Sequence, residues 1–245
     1  MALGVKCPQM PIRRAGGRCR EVEALAIRLA CIFAISQNGY YAGFMDDSTL
    51  SEITGLDFRW PKTGDTLFSN RQPASAACSP REAEERLYHL MGGYKVGADL
   101  LVEQTEAEPW QRRKLIYPVV FCYRQFLELT LKSILAEFGP AGGIEPNWSS
   151  HKLEYLWERF VALLRSLGAE DPTDATAAVE HCIAEFAKID PSSDTFRYPH
   201  DRKGQPFGVD DVAVDLLHLR DTMQAIENYF MGCEGFLGEL LGAHE

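Results

Sequence analysis

The chain has 245 residues and a formal net charge of −10 at pH 7, and a chain of this length buries a hydrophobic core without staples. The acidic balance excludes a protein that coats nucleic acid or anionic membrane non-specifically, because neutralising phosphates requires a surplus of lysine and arginine. The seven cysteines and six histidines show no CxxC or zinc-like spacing. We therefore expect reduced thiols in a cytoplasmic protein without a metal or other cofactor.

Residues 1–79 are predicted to form an N-terminal extension to a bundle over residues 80–245. An arginine-rich start is followed by an apolar segment over residues 24–35, which Arg28 interrupts and Glu21 and Glu23 precede. The segment is too charged for a signal peptide and too short for a membrane span, which needs about 20 apolar residues. It is therefore predicted to be a short helix that docks on the core, or a poorly ordered extension. Glycine and proline punctuate residues 40–79, which predicts a long irregular segment over the core.

Helical periodicity begins where Ser79 can cap a helix and Pro80 can take its first position. This helix is predicted over residues 81–103, and three glycines within it either permit close packing or mark a kink: Gly92, Gly93 and Gly97. A second helical run from Trp110 meets Pro118, which either kinks the helix or begins a new one. Later helices are predicted after Ser149 or Ser150, from Asp171, and over residues 209–230. No period-two segment is present, so the fold class is all-α, an up-and-down helical bundle.

The helix over residues 118–138 carries the strongest periodicity in the chain. Large apolar side chains recur at spacings of three and four along one face: Val120, Tyr123, Leu127, Leu131, Ile134 and Phe138. Arg124, Glu128 and Lys132 form a charged row at i+4 spacing, and Arg124 lies inside the edge of the apolar stripe. Either Glu128 pairs with Arg124 locally, or Arg124 faces an internal cleft and binds an anion.

The loop of residues 189–208 is the strongest candidate for a functional site, because it is too long for an ordinary helix connection. It interleaves rings with cations, a combination that stacks bases and holds phosphates; these residues are Phe196, Arg197, Tyr198, His200, Arg202 and Lys203. His200 can act as an acid or base, and Arg197 can stabilise charge on a phosphate. Alternatively Arg197 pairs with Asp190 or Asp194, and the loop only braces the bundle.

Three segments in this order resemble bacterial proteins of the HEPN superfamily, named for higher eukaryote and prokaryote nucleotide-binding domains. They are YRQFLELTLKSIL, HKLEYLW and DPSSDTFRYPHDRKG, and the similarity spans residues 83–230. The resemblance implies a helical bundle, a homodimer, and metal-independent endoribonuclease activity in toxin–antitoxin or phage-defence systems. Catalytic members carry an arginine followed after four to six residues by a histidine; here Arg197 and His200 stand closer together but also precede the final helix.

By this resemblance Arg197 and His200 are the catalytic candidates, and Arg124, Glu128 and His151 line the site. Tyr198, Arg202 and Lys203 join them as candidates for RNA or nucleotide binding. The partners expected are RNA or a nucleotide, a second copy of the chain, and an antitoxin or other protein, with no membrane. The alternative function is a non-catalytic interaction or sensor subunit in which the loop of residues 189–208 is structural.

Overall fold

The computed structural model of the protein describes residues 48, 51–52, 59, 61–67, 83–169, 174–208 and 213–242. The chain separates into two compact units, Met1–Ala77 and Cys78–Glu245. In the first unit the guanidinium of Arg59 binds the carboxylate of Asp65 at 2.6 Å. The rest of the predicted N-terminal extension, including the apolar segment of residues 24–35, lies outside the described residues.

The second unit is an all-α bundle, as the periodicity predicted. Its helices are α1 (Ala83–Ala107), α2 (Arg112–Glu137), α3 (Leu153–Ser166), α4 (Ala175–Ile189) and α5 (Leu216–Gly242), with short 3₁₀ turns at Pro109–Gln111 and Gly139–Gly142. Within the described residues, β-type pairing is limited to one bridge between His200 and Pro206. Among the described helices, none combines the length and the apolar character that crossing a membrane requires.

Helix α2 lies at the centre of the bundle and packs against α1, α3 and α5. All six apolar residues predicted to form its inward face are buried. Opposite them, Trp157 and Phe160 of α3 pack with Phe230 of α5, with ring centroids 5.2–6.4 Å apart. Edge-to-face and tilted ring contacts of this kind add to the stabilisation that burial provides. The local periodicity therefore identified the core of the bundle.

Several helix boundaries differ from the predicted ones. Pro118 lies inside α2, which is continuous from Arg112, so a new helix start at Pro118 is excluded. Neither Ser149 nor Ser150 caps α3; both donate their amide N–H to the side-chain oxygen of Asn147, at 3.1 and 3.2 Å. Ser149 and Ser150 are therefore part of a turn organised by the side chain of Asn147, and neither acts as the N-cap of α3.

The last helix begins later and ends later than predicted. It starts at Leu216 rather than near residue 209, because the Oδ1 atom of Asp215 accepts the amide N–H groups of Leu217 at 3.0 Å and His218 at 3.1 Å. Such an oxygen satisfies amides that lack partners at a helix start. The helix then continues past Phe230 to Gly242. The predicted start of α4 at Asp171 falls on residues that are not described.

The glycines provide a test of this packing. In Gly93→Ala, the new Cβ in the middle of α1 meets no atom within 4 Å, so we expect the free energy of unfolding to rise by about 0.5–1 kcal/mol. In the paired variant Gly139→Ala, the Cβ collides with the backbone carbonyl oxygen of Ile144, and stability should fall. Urea denaturation measures both variants; destabilisation by Gly93→Ala would contradict the open environment of this glycine.

Candidate functional site

A row of buried charges runs along α2. Arg124, Glu128 and Lys132 are 0%, 2% and 5% exposed. The Nη1 atom of Arg124 donates to Oε2 of Glu128 at 3.1 Å, and the Nζ atom of Lys132 donates to Oε1 at 2.8 Å. Buried charges are costly unless they are paired and hydrogen-bonded. One carboxylate therefore holds a cation one turn away on each side.

The remaining donors of this row bind segments outside α2. Arg124 donates through Nη2 to the carbonyl oxygen of His151 at 2.7 Å and through Nε to that of Asp190 at 3.2 Å. Lys132 donates to the carbonyl oxygen of Trp148 at 3.1 Å. The Nδ1 atom of His151 lies 2.8 Å from Oε1 of Glu128, and it is the donor because a carboxylate only accepts. The charged row thus joins α2 to the segment before α3 and to the end of α4.

This geometry decides between the two alternatives for Arg124. Its guanidinium pairs with Glu128 and is fully enclosed, so it offers no open cleft to an anion. Glu128 is enclosed with it. The side chain of His151 is 62% exposed, but it is not among the residues that line the cavity containing Arg197 and His200. These three residues support the bundle, and the first two do not reach a ligand.

Asp190 extends this support to the candidate loop. Its carboxylate is buried, with Oδ2 lying 3.5 Å from Nε of Arg124. The other oxygen, Oδ1, accepts the amide N–H groups of Asp194 at 2.9 Å and Thr195 at 3.1 Å. Ser193, which directly precedes Asp194, has a positive φ of 65°, a conformation that non-glycine residues seldom adopt unless their surroundings hold it. Its hydroxyl oxygen accepts a hydrogen bond from Gln125 of α2 at 2.8 Å.

Arg197 is held at the surface by its own loop. Its Nη2 atom donates to Asp194 at 2.7 Å, and its Nε atom donates to the carbonyl oxygen of Ser193. The guanidinium also lies 5.7 Å from the ring centroid of Phe121 and 5.4 Å from that of Tyr198, within the range of cation–π attraction. The pairing of Arg197 with Asp194 that the sequence offered as an alternative is therefore present, while the side chain stays partly exposed.

His200 and Arg197 line the same cavity, which has a volume of about 490 Å³. Tyr117, Phe196, Tyr198 and Phe207 supply its rings. Tyr198 is 55% exposed, so its ring is open to a ligand. The structure therefore brings three of the predicted site residues together, Arg197, Tyr198 and His200, although their spacing in the sequence was a weak signal.

Arg202 and Lys203 lie at the exposed tip of the turn that follows His200 and do not line the cavity. Asp201 shapes this turn, because its Oδ1 atom accepts the amides of Lys203 at 2.8 Å and Gln205 at 2.9 Å. The carboxylate is therefore occupied by the backbone, while the two cations face solvent. Their position fits contacts to a ligand that extends beyond the cavity.

The sequence did not single out Tyr117, Arg112 and Arg113. Tyr117 lines the cavity of His200 and also a neighbouring cavity of about 810 Å³, which both arginines line. The run RRK at residues 112–114 was the available signal. This run lines a cavity only because the loop that carries Phe196 packs near α2. A local sequence pattern does not specify that packing.

Among the described residues, no three His, Cys, Asp or Glu side chains come together as metal ligands. No protein-family model matches this sequence, and no curated protein or solved structure shows significant similarity to it. Membership of the HEPN superfamily therefore stays a prediction from the residues quoted above.

The charged row makes stability depend on pH. Burial raises the pKa of the Glu128 carboxyl, but hydrogen bonds from Lys132 and His151 outweigh it and leave the pKa below its usual value. The stabilisation is therefore complete above the unfolded-state pKa of about 4.3 and is lost as the pH falls through the folded-state pKa.

We expect Glu128→Gln to lower the free energy of unfolding at pH 7 by about 3–5 kcal/mol, because it leaves buried cations without their partner. The difference from the wild type should narrow as the pH falls through the lowered folded-state pKa of Glu128, because the wild-type side chain then loses its negative charge as well. Urea denaturation across this pH range measures it, with Glu158→Gln on the exposed face of α3 as the control. A difference that is absent at pH 7 would show that Glu128 does not hold the row together.

Proposed function

We propose that this protein is an HEPN-like bundle that binds RNA at the loop of residues 189–208 and cleaves it without a metal ion. The observation that carries the proposal is that Arg197, Tyr198 and His200 line one cavity. An open ring beside a guanidinium suits an unpaired base and its phosphate, because bases stack on aromatic faces and arginine pairs with phosphate oxygens. Arg202 and Lys203 at the exposed turn add phosphate contacts to this interface.

The chemistry requires little from the protein beyond proton transfer and charge stabilisation. The 2′-hydroxyl of the substrate attacks the adjacent phosphorus, the bond to the 5′-oxygen breaks, and a proton moves from the nucleophile to the leaving oxygen. His200 serves as the acid or base for one of these transfers. Arg197 stabilises the charge that develops on the phosphate oxygens. The homodimer implied by the resemblance would bring a second copy of both groups for the other transfer.

The proposed setting is the cytoplasm of a bacterial cell, as part of a toxin–antitoxin or phage-defence system. An endoribonuclease that needs no metal must be restrained when it is not required. This setting therefore includes an antitoxin or another protein as the partner that covers the site.

A second candidate function is a non-catalytic interaction or sensor subunit. The observation that favours it is the engagement of Arg197 by Asp194, Ser193 and the rings of Phe121 and Tyr198. In this alternative the contacts fasten the loop to the bundle, and the loop presents a shaped surface to a protein partner.

A cleavage assay on total RNA in the presence of EDTA distinguishes an endoribonuclease from a non-catalytic subunit. For an endoribonuclease, Arg197→Ala and His200→Ala should each reduce the cleavage rate by about 10²–10⁴-fold, because each removes a group that acts in the transition state. Arg165→Ala and His181→Ala remove the same side-chain types from exposed positions on α3 and α4 and should leave the rate unchanged.

The melting temperatures of the same variants complete the test. Retained melting temperatures together with lost cleavage support the endoribonuclease. A wild-type protein that neither cleaves nor binds RNA, with an Arg197→Ala variant that melts several degrees lower, supports the interaction subunit instead. Cleavage that survives both substitutions would overturn the assignment of Arg197 and His200.

A further inference from the structure

The cavity of His200 adjoins a larger one. The cavity of about 810 Å³ is lined at one side by Arg112 and Arg113, and it shares Tyr117 and Phe196 with the cavity of about 490 Å³ that contains His200. Two rings thus line both spaces; the larger space carries two guanidinium groups and the smaller one carries that of Arg197. The two cavities together form one groove, here called the Tyr117 groove.

The arginines of the larger cavity have no partner within the described part of the chain. Arg112 and Arg113 are exposed, and neither makes a hydrogen bond or ion pair there through its side chain. Arg220, by contrast, pairs with Glu106 at 3.0 Å. Two cations on the lining of one cavity, neither paired with a described acid, favour a bound anion beside them.

Among the described residues that line the larger cavity, Asp215 supplies the one carboxylate. Its Oδ1 atom accepts the amides of Leu217 and His218 at the start of α5. Partial positive charge at a helix start compensates a carboxylate in this position. Among the described lining residues, two guanidiniums therefore stand against one compensated carboxylate, which favours a bound anion.

Tyr117 stands between the two groups of cations. Its ring lies 6.4 Å from that of Phe196, which is buried, while Tyr117 itself is 48% exposed. A ring that is supported from behind and open to solvent is a stacking platform for a base, worth about 1–3 kcal/mol per base. The order along the groove is therefore cations, ring, cations.

We infer that the ligand of the Tyr117 groove is single-stranded RNA with two or more phosphates. One phosphate lies beside Arg112 and Arg113, a base stacks on Tyr117, and a further phosphate lies beside Arg197 and His200. The inference rests on the proposed function and names its substrate class. A mononucleotide fills only one end of the groove, and a duplex presents no unpaired base to the ring.

The test is a binding measurement with 2′-O-methyl oligouridylate of about eight nucleotides. Proteins that bind single strands typically cover ~4–16 nucleotides, so this length suits the groove. The methyl group removes the nucleophile, so the ligand is not cleaved. Fluorescence anisotropy of the labelled oligomer gives the affinity, and unlabelled uridine monophosphate competes for one end of the groove only. We expect the oligomer to bind at least ~10-fold more tightly than the monophosphate, because one stacked base alone contributes about 1–3 kcal/mol.

The variants test each part of the groove. Arg112→Ala together with Arg113→Ala should weaken binding of the oligomer about 10-fold, and the slope of log affinity against log salt should become shallower by about 0.7 for each phosphate that is no longer neutralised. Tyr117→Ala should weaken binding by a similar factor. Lys114→Ala is the matched control, because it removes a cation next to these arginines that lies 5.3 Å from the ring of Trp110 and does not line the cavity.

The outcomes separate the inference from the proposed function. Weakened binding in the Arg112, Arg113 and Tyr117 variants, with Lys114→Ala unchanged, supports the Tyr117 groove. If only Arg197→Ala and His200→Ala weaken binding, or if Lys114→Ala weakens it equally, the inference is overturned and the proposed function stands. If the wild type binds no oligomer, the proposed function fails and the inference fails with it.

Discussion

The pairing of the Glu128 carboxylate with Arg124 and Lys132 is the interaction on which the arrangement of this bundle depends. Water does not reach this row, so every charge in it needs a partner in a fixed position. Hydrophobic contacts tolerate small shifts between helices, whereas these hydrogen bonds do not. The backbone carbonyls of Trp148, His151 and Asp190 accept from the row. The row therefore selects one position for the segments before α3 and after α4.

Asp190 connects the buried row to the loop of residues 189–208 at the surface. It is fixed by Arg124 on one side and orders the amides of Asp194 and Thr195 on the other. Arg197 then pairs with Asp194 beside the cavity. Arg124, which the sequence suggested as a binding residue, is thus a positioning residue. It is connected to Arg197 through the carboxylates of Asp190 and Asp194. A loop held in this way presents its groups at low conformational cost, which favours binding.

The sequence predicted what local periodicity controls and missed what depends on distant partners. The buried face of α2 followed from side-chain spacing alone. The helix start at Leu216 was missed because a single capping residue, Asp215, overrides an apolar pattern that continues upstream. The contact of Arg124 with Asp190 joins residues 66 positions apart, and no pattern in one sequence reports it. Tyr117 was missed for the same reason, because the loop that supplies Phe196 comes much later in the chain.

The acidic charge of the whole chain does not oppose an RNA ligand at this loop. Each acid of the loop is engaged internally: Asp190 by Arg124, Asp194 by Arg197, and Asp201 by backbone amides. Asp201 keeps its negative charge beside Arg202 and Lys203, so the exposed turn carries two cations and one carboxylate. Electrostatic effects between exposed groups fade beyond about 8 Å at physiological salt, so distant acids contribute little there. A formal charge of −10 argues against general coating of nucleic acid and is compatible with the local site for a short strand that we propose.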